Sequence, residues 1–555
     1  MTKYVFVTGG VMSGIGKGVI AASIGKIIQV RGFEVTAVKI DPYLNYDAGT
    51  MNPYIHGEVF VTEDGGETDM DVGTYERFLD INVPKNHNIT TGQVYFSVIE
   101  RERKGDFLGK CVQIIPHITD EIKDRLRLIP KEEGVDLVLV EIGGTVGDIE
   151  SLPYLEAARQ LRLEEGSENV LNVHVTLVPV LDVVGEQKTK PTQHSVQELR
   201  RIGVQPDIIV ARSKAPLNQE PRRKIALFCN VEESAVFTSQ DMDSIYQSPL
   251  LLDQQGLGTF ITYRLRLPGN PPKWNSWEKM LEDHLLQTKQ ANVAICGKYA
   301  ELADCYVSVN DALKDAGASA GAKVNIEWIE TDDFEKQPER VRLLSRFDGV
   351  LVPGGFGARG AEGKILAVEY SRSHDIPFLG ICFGFQLAVV EYARHIGVVD
   401  AASSELNPRS KNSVIDLMPE QNGVSEKGGT MRLGAHEIAV DEGTIAYSLY
   451  GKGKIWERHR HRYEVNPKYI PELTSKQLRF SGRSDANRRM EILEVPSNRF
   501  HFATQFHAEF KSRPARPSPP YFGFIQAALG SKGIPVETGP VIANQTVQVN
   551  RRAKR

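Results

Sequence analysis

Phe378-Leu-Gly-Ile-Cys382-Phe-Gly-Phe-Gln386 is the stretch on which the reading of this chain turns. Ile376, Phe378, Leu379 and Ile381 predict a buried parallel strand, and the run from Gln386 to Arg394 predicts a helix. Between them Gly380-x-Cys382-x-Gly384 has the pattern of a nucleophile elbow, with a thiol in place of the usual hydroxyl. The sharp turn forces Cys382 into strained backbone, and the flanking glycines let it close without Cβ clashes. A thiol at a helix N-terminus is favoured as thiolate.

A nucleophilic thiol needs a base, and Gln505-Phe-His507-Ala-Glu509 supplies one. Two residues apart on a strand, His507 and Glu509 share a face, so the carboxylate orients the imidazole and the imidazole moves the thiol proton. A lone buried cysteine is more often a packing residue. The coincidence of both spacings favours the catalytic reading.

With these residues in view, the chain from 291 on resembles the class I glutamine amidotransferases. Pro353-Gly-Gly-Phe-Gly357 looks like that family's oxyanion strand. The resemblance implies that the N–H groups of Gly355 and Phe383 hold the tetrahedral oxyanion. It also implies that ammonia is released from glutamine for use at a second site, so the rest of the chain should contain an acceptor.

Composition sets bounds. The 555 residues are 41% hydrophobic and 25% charged, an ordinary globular balance. A net charge of −5 gives no general attraction to nucleic acid or an anionic membrane. The five cysteines contain no Cys-x-x-Cys pair, which points to a reducing compartment. The N-terminus enters a strand pattern at once and no long apolar run occurs, so a cytoplasmic protein without signal peptide or membrane span is expected.

The N-terminal half opens with a strand, Lys3 to Thr8, then Gly9-Gly-Val-Met-Ser-Gly-Ile-Gly16-Lys17-Gly18 and a helix from Val19. Strand, glycine loop ending in Gly-Lys, and helix make a phosphate-binding loop in its confirming context. Gly18 stands where such loops usually carry Ser or Thr, so the hydroxyl that ligates Mg²⁺ is missing. Asp64, Glu67, Asp69 and Asp71 crowd together, and Glu141 ends the apolar run Val135 to Val140. A carboxylate at the end of a buried strand sits where open α/β sheets bind ligands. Asp71 and Glu141 are therefore the expected metal ligands. Gly185 to Ser195, with Lys188 and Lys190, suits a polyanion, or is a solvated basic loop. Strands alternating with helices predict an α/β chain with two doubly wound, mostly parallel sheets, the first P-loop-like. The expected division is 1–266, a linker and helix over 267–290 around Pro268-Gly-Asn-Pro-Pro272, a second domain over 291–535, and a disordered tail over 536–555. The basic run Glu457-Arg-His-Arg-His-Arg462 carries two histidines without a cysteine or a third histidine, which argues against a metal there.

The whole chain apart from the tail resembles the CTP synthase family. The resembling stretches are Lys17-Gly18 in its loop, Glu67 to Phe78, Glu141 to Pro153, Lys188 to Ser195, Asp241 to Tyr246 and Glu457 to Asn466. The resemblance implies a ligase that phosphorylates the 4-oxygen of UTP with ATP and replaces phosphate by ammonia from L-glutamine. It places ATP at Gly14, Ile15, Gly16, Lys17, Gly18 and Val19, with Gln240, Asp241 and Met242 near the adenine and Asp71 and Glu141 on Mg²⁺. UTP, or CTP as inhibitor, falls to Ser13, Asp148, Ile149, Glu150, Lys188, Thr189, Lys190, Pro191, Thr192, Gln193 and Lys224. Glutamine falls to Gly355, Phe383, Gly384, Phe385, Gln386, Glu405 and Arg462, with Cys382, His507 and Glu509 as the triad. GTP as activator and a homotetramer are implied as well. Gly14, Thr74 and Ala508 depart from residues common in the family. Another glutamine-dependent amide ligase, such as a cobyrinate amidase-like protein, is the alternative enzyme. A nucleotide switch with a vestigial glutaminase half is the non-enzymatic one.

Overall fold

The computed structural model describes residues 2–181, 185–298, 303–421, 423–424 and 428–530. The tail expected over 536–555, and residues 531–535 of the second expected domain, lie outside them.

The first half is built on β1 (Lys3–Gly9), β2 (Val35–Asp41), β3 (Asn88–Thr90), β4 (Leu137–Ile142), β5 (Val170–Leu177), β6 (Ile208–Ser213) and β7 (Val236–Gln240). They form one seven-stranded sheet in the order β7-β6-β5-β1-β4-β2-β3. Every pair in it is parallel. Along β1 the side chains alternate between two cores. Val5 and Val7 pack with Ile20, Ile24 and Ile27 of helix α1 (Lys17–Gln29). Tyr4 and Phe6 pack with Ile122 and Leu126 on the opposite face. A sheet covered on both faces explains why its strands are apolar throughout, each fully buried aliphatic side chain contributing about 1.5–3 kcal/mol. Because all seven strands point the same way, their C-terminal ends share one edge. The glycine loop, Asp41, Glu141 and Gln240 all lie there.

Helix α2 (Met70–Leu79) starts on an Asp69 cap, whose carboxylate accepts from the Asp71 N–H. Helix α3 (Lys190–Arg201) begins with Pro191 in its first turn. Residues 267–274 carry no helix or strand. Helix α4 (Asn275–Leu285) then buries Trp277, Met280 and Leu281 in the core of the first half.

The second half is built on β8 (Lys289–Gly297), β9 (Ala322–Glu330), β10 (Gly349–Val352), β11 (Phe378–Ile381), β12 (Arg432–Val440), β13 (Lys454–His461), β14 (Arg479–Ser484), β15 (Arg489–Glu494) and β16 (His501–Thr504). Their order in one nine-stranded sheet is β9-β8-β10-β11-β16-β15-β14-β12-β13. The expectation of a mostly parallel sheet holds from β9 to β16. Beyond β16 the pairing is antiparallel. For β14 and β15 the reason is local: they are joined by a tight turn in which Asp485, Ala486 and Asn487 take positive φ, and so short a connection permits only an antiparallel pair. Helices α5 (Ala361–Ser373) and α6 (Phe383–His395) cover one face with the core around Phe378, Phe383 and Leu387.

Candidate active sites

The order β10-β11-β16 brings three strand ends together. The loop after β10 is Pro353–Gly357, the residue after β11 is Cys382, and His507 follows β16. Cys382 has φ 50° and ψ −97°, a conformation that costs a non-glycine residue about 1–3 kcal/mol. The elbow is as tight as the spacing predicts. A Cβ on Gly384 would stand 2.1 Å from the Val352 carbonyl oxygen, and one on Gly380 3.0 Å from Ala503 Cβ. The Cys382 N–H donates to Thr504 O at 2.7 Å, which pins the turn to the neighbouring strand.

His507 and Glu509 do not share a strand, contrary to the expectation. β16 stops at Thr504, and Ala508–Lys511 forms a 3₁₀ turn that starts on His507. The turn still swings the carboxylate back to the ring, and His507 Nδ1 donates to Glu509 Oε1 at 2.7 Å. Tyr521 donates to the other oxygen at 3.4 Å. Burial alone would lower the pKa of His507. Glu509 and Cys382 beside it outweigh that and raise it to about 10. The imidazole therefore stands protonated next to a thiol with which it shares a hydrogen bond. Gly354 fits between them, since a Cβ there would meet His507 Cε1 at 2.8 Å. This contact was not read from the sequence.

Among the residues assigned to glutamine, Glu405 accepts from the Gly357 N–H at 2.8 Å, so it braces the loop after β10. Arg462 donates to Gln421 at 2.5 Å, and it and Glu405 both lie close enough to Tyr463 to shift its phenol. Gln386 is buried and donates to Tyr463 O at 2.9 Å and to Gln505 at 3.3 Å. The ring of Phe385 is fully buried against Phe480, inside the core. Gly355 and Phe383 are adjacent, a Gly355 Cβ lying 3.9 Å from the Phe383 ring.

The second site is a cavity of about 610 Å³ at the C-terminal edge of the first sheet, lined by Gly14 to Val19, Asp71, Glu141, Asp148 and Glu150. Gly14 and Gly16 have φ of +72° and +86°, where glycine is favoured, which accounts for glycine at position 14. Lys17 donates to Gly144 O at 2.5 Å. Lys39 is the centre of the site, and the sequence reading did not assign it. Its ammonium contacts Asp71, lies 3.3 Å from Glu141, 3.5 Å from Asp69 and 3.9 Å from Asp41. Burial would lower its pKa, but the four carboxylates hold it well above the usual lysine value. Burial pushes Asp41 up to about 8 and raises Glu141. Asp71 moves the other way, since Lys39 outweighs its burial. The signal was present: a lysine inside the short strand-like run Val35–Ile40, which is mostly apolar, must have buried partners. Gly18 also finds its reason here. A Cβ at that position would stand 2.2 Å from Asp71 Oδ1, so this carboxylate takes the space a loop hydroxyl normally fills.

The basic residues assigned to UTP lie elsewhere in the chain. Lys188 pairs with Glu186 at 2.5 Å, and Lys224 pairs with Glu220 at 2.7 Å. Lys190 lies over the Phe228 ring at 5.6 Å. Thr192 and Gln193 are buried on α3, Gln193 donating to Thr189 at 3.0 Å. Ser13 and Ile149 are exposed, and Asp241 pairs with Arg212 at 2.6 Å. Gln240 ends β7 on the cavity's edge of the sheet, with Met242 just beyond it.

The run from Glu457 to His461 forms β13, and its side chains alternate. Arg458 and Arg460 cross to the first half. Arg458 meets Glu76 at 3.0 Å and Glu63 at 2.9 Å, and Arg460 meets Glu67 at 2.8 Å. His459 and His461 turn inward, where their ligand atoms and those of Glu491 lie within 4.8 Å of one another. Arg432 fills that space, donating to Glu491 at 2.8 Å and lying 3.5 Å from His461 Nε2. The Arg432 guanidinium thus supplies a positive charge beside the trio.

Residues 3–267 match the family described as CTP synthase N-terminus, and residues 301–527 match Glutamine amidotransferase class-I. A CTP synthase of Pyrococcus furiosus is 58% identical over 530 residues, covering 95% of this chain and 98% of its own. One from Thermococcus gammatolerans is 57% identical over 534 residues, covering 96% and 99%. The glutaminase domain of the Trypanosoma brucei enzyme with bound acivicin is 36% identical, with a TM-score of 0.41, covering 43% of this chain and 94% of that one.

Proposed function

The chain belongs to the CTP synthase family and is a glutamine-hydrolysing ligase that converts UTP to CTP, and we propose that its two strand-edge sites divide that reaction between them. The observation that supports this division is the strained Cys382 elbow beside an imidazolium held by Glu509, in a different sheet from the phosphate-binding loop.

In the glutaminase half, Cys382 attacks the amide carbon of glutamine. His507, protonated, gives a proton to the departing ammonia while Glu509 holds the ring through its Nδ1–H, and water then cleaves the resulting thioester to release glutamate and free Cys382. The N–H groups of Gly355 and Phe383 receive the oxyanion. Glu405 and Arg462 bind the amino-acid end of glutamine, with Gln386 supporting them.

In the synthetase half, Gly14 to Val19 wrap the phosphates of ATP, Lys17 neutralises them, and Gln240 to Met242 border the adenine. Asp148 and Glu150 approach UTP from the same cavity. Lys188, Lys190 and Lys224, with Ser13, Ile149, Thr189, Pro191, Thr192 and Gln193, complete the UTP and CTP site where subunits of a homotetramer meet. The donors fit Mg²⁺: Asp71 and Glu141 already converge on one cationic centre, Lys39, and both are hard oxygen ligands. When bound, the ion neutralises charge on the phosphates of ATP. Phosphorylated at its 4-oxygen with release of ADP, UTP then takes ammonia at ring position 4 and loses phosphate to give CTP, with CTP inhibiting and GTP activating. No described helix is long and apolar enough to cross a membrane, and we place the enzyme in the cytoplasm. We divide the chain into 1–266, a linker and helix over 267–290, and 291–535; the two separate sheets support two domains, with β8 already beginning at Lys289.

Cys382→Ala tests the division. It should abolish CTP formation from glutamine and leave formation from ammonium within about twofold of wild type, because the thiol serves only amide hydrolysis. Equal loss with both nitrogen sources would refute it.

A further inference from the structure

Lys364 is a lysine with no exposed surface. It lies on α5, and its Nζ is among the buried side-chain atoms without a hydrogen-bond partner. It points at the back of the oxyanion loop. A Cβ on Gly355 would lie 3.7 Å from Nζ, and the ring of Phe383 is 5.2 Å away, centroid to Nζ. Gly355 and Phe383 are the two residues whose N–H groups receive the oxyanion in the reading above, on which this inference rests. An unpaired buried ammonium is costly, and an apolar side chain of the same length would fill the space more cheaply. Its position between these two residues gives it a use.

We infer that Lys364 is a positioning residue for glutamine hydrolysis, whose ammonium, held against the Phe383 ring behind Gly355, adds positive potential where the oxyanion develops. It touches neither glutamine nor Cys382, and acts through the loop and the first turn of α6. Charge placed in advance, in a site that excludes water, stabilises the transition state more than the ground state. A cation against an aromatic face is also held without a hydrogen bond that would neutralise it.

The groups around it set its protonation. Burial acts most strongly, then Lys298 at the end of β8. Both lower its pKa, to about 7, while Cys296 on β8, Glu330 at the end of β9 and Asp332 just beyond oppose them. Lys364 therefore changes charge within the pH range in which hydrolysis is assayed.

The experiment compares wild type with Lys364→Met and Lys364→Gln from pH 6 to pH 8.5, following the kcat and KM of glutamine hydrolysis and CTP formation from ammonium. At pH 6 the wild-type kcat should exceed that of Lys364→Met by about tenfold, less than removal of a direct oxyanion donor costs, with KM within about twofold. The ratio should fall toward one by pH 8.5, as the wild-type lysine loses its charge. Groups common to both proteins cancel in this ratio. CTP formation from ammonium should be unchanged in both variants. A ratio near one at pH 6, or one that does not change with pH, overturns the inference. So does loss of ammonium-dependent synthesis in both variants, which would assign Lys364 to the fold. Were Cys382→Ala to keep hydrolysing glutamine, the reading of the site would fail instead. The two failures are thus told apart.

Discussion

Replacing Gly18 tests the synthetase site where its geometry is tightest. A Cβ at this position would stand 2.2 Å from Asp71 Oδ1 and 2.8 Å from its Cγ. The φ of Gly18 is not positive, so alanine meets no backbone strain there and the conflict is steric alone. Asp71 cannot simply rotate away, because its carboxylate is held by Lys39, which in turn contacts Glu141, Asp69 and Asp41. Relief moves the start of α2 or the glycine loop by about an ångström. Overpacking of this kind costs about 1–3 kcal/mol of stability. Misplacement of a positioning group by about 1 Å costs about 10²-fold in rate. Gly18→Ala should therefore lower CTP formation from ammonium about 10²-fold while glutamine hydrolysis at Cys382 persists. Gly18→Ser should do no better, although serine is usual at this place in phosphate-binding loops, because Asp71 already holds the hydroxyl's space. The assay is steady-state CTP formation across a Mg²⁺ titration. A Gly18→Ser variant as active as wild type would show that Asp71 does not substitute for the loop hydroxyl, and the assignment of Asp71 to the metal would go with it.

Glu509→Gln removes the charge that, with Cys382, lifts His507 to about 10. The alkaline limb of glutamine hydrolysis should then move down in pH by at least about one unit, and a superimposable pH–rate profile would contradict the assignment. The same linkage bears on stability: the folded pKa of His507 lies above the ordinary histidine value of about 6.5, so its contribution is complete below that pH and is lost as pH rises toward about 10. Arg458→Met removes the fully buried partner of Glu76 and Glu63 between the two halves; with a buried charge left short of a partner, stability should fall by about 3 kcal/mol, and an unchanged calorimetric midpoint would refute this.

Both sites were legible in the sequence where a backbone conformation demanded particular residues. Gly-x-Cys-x-Gly and the glycine loop announce themselves because few residues survive those turns, and each sits between an apolar strand and a helix. What escaped were contacts between residues far apart in the chain. Lys39 is hidden in a strand whose period says only that it is buried, and of its four partners only Asp41 shares that strand, while Asp69 and Asp71 arrive from the start of α2 and Glu141 from β4. The placement of His507 and Glu509 on a 3₁₀ turn was missed because a two-residue spacing fits both a strand face and a short turn. In the antiparallel part of the second sheet, the β14–β15 pair follows from their connection, whose short polar turn carried no visible register. The reading of the lysines at 188, 190 and 224 as one cluster rested on composition and resemblance. Within one chain each has a neighbour of its own: Glu186, the Phe228 ring and Glu220.

The basic run at 457–462 shows how much a strand's period of two can hold. Composition made it a dense basic run with two histidines. As β13 its odd residues turn inward to the His459–His461–Glu491 network, and its even residues reach across to Glu63, Glu67 and Glu76. Its backbone does a third thing. The Arg458 carbonyl accepts from the His507 N–H at 2.8 Å, and the Arg460 carbonyl lies 3.6 Å from Cys382 Sγ. Arg460 also stacks its guanidinium over Phe356, in the loop that carries Gly355, at 5.3 Å. One strand therefore touches Cys382, His507 and the loop that carries Gly355, the groups proposed to hydrolyse glutamine, while its arginines hold the segment that leads into Asp69 and Asp71. Moving β13 against the first half would have to break buried ion pairs, and tilting it would shift the groups around Cys382. The two chemistries are thus registered to each other by side chains whose alternation is set by strand geometry alone.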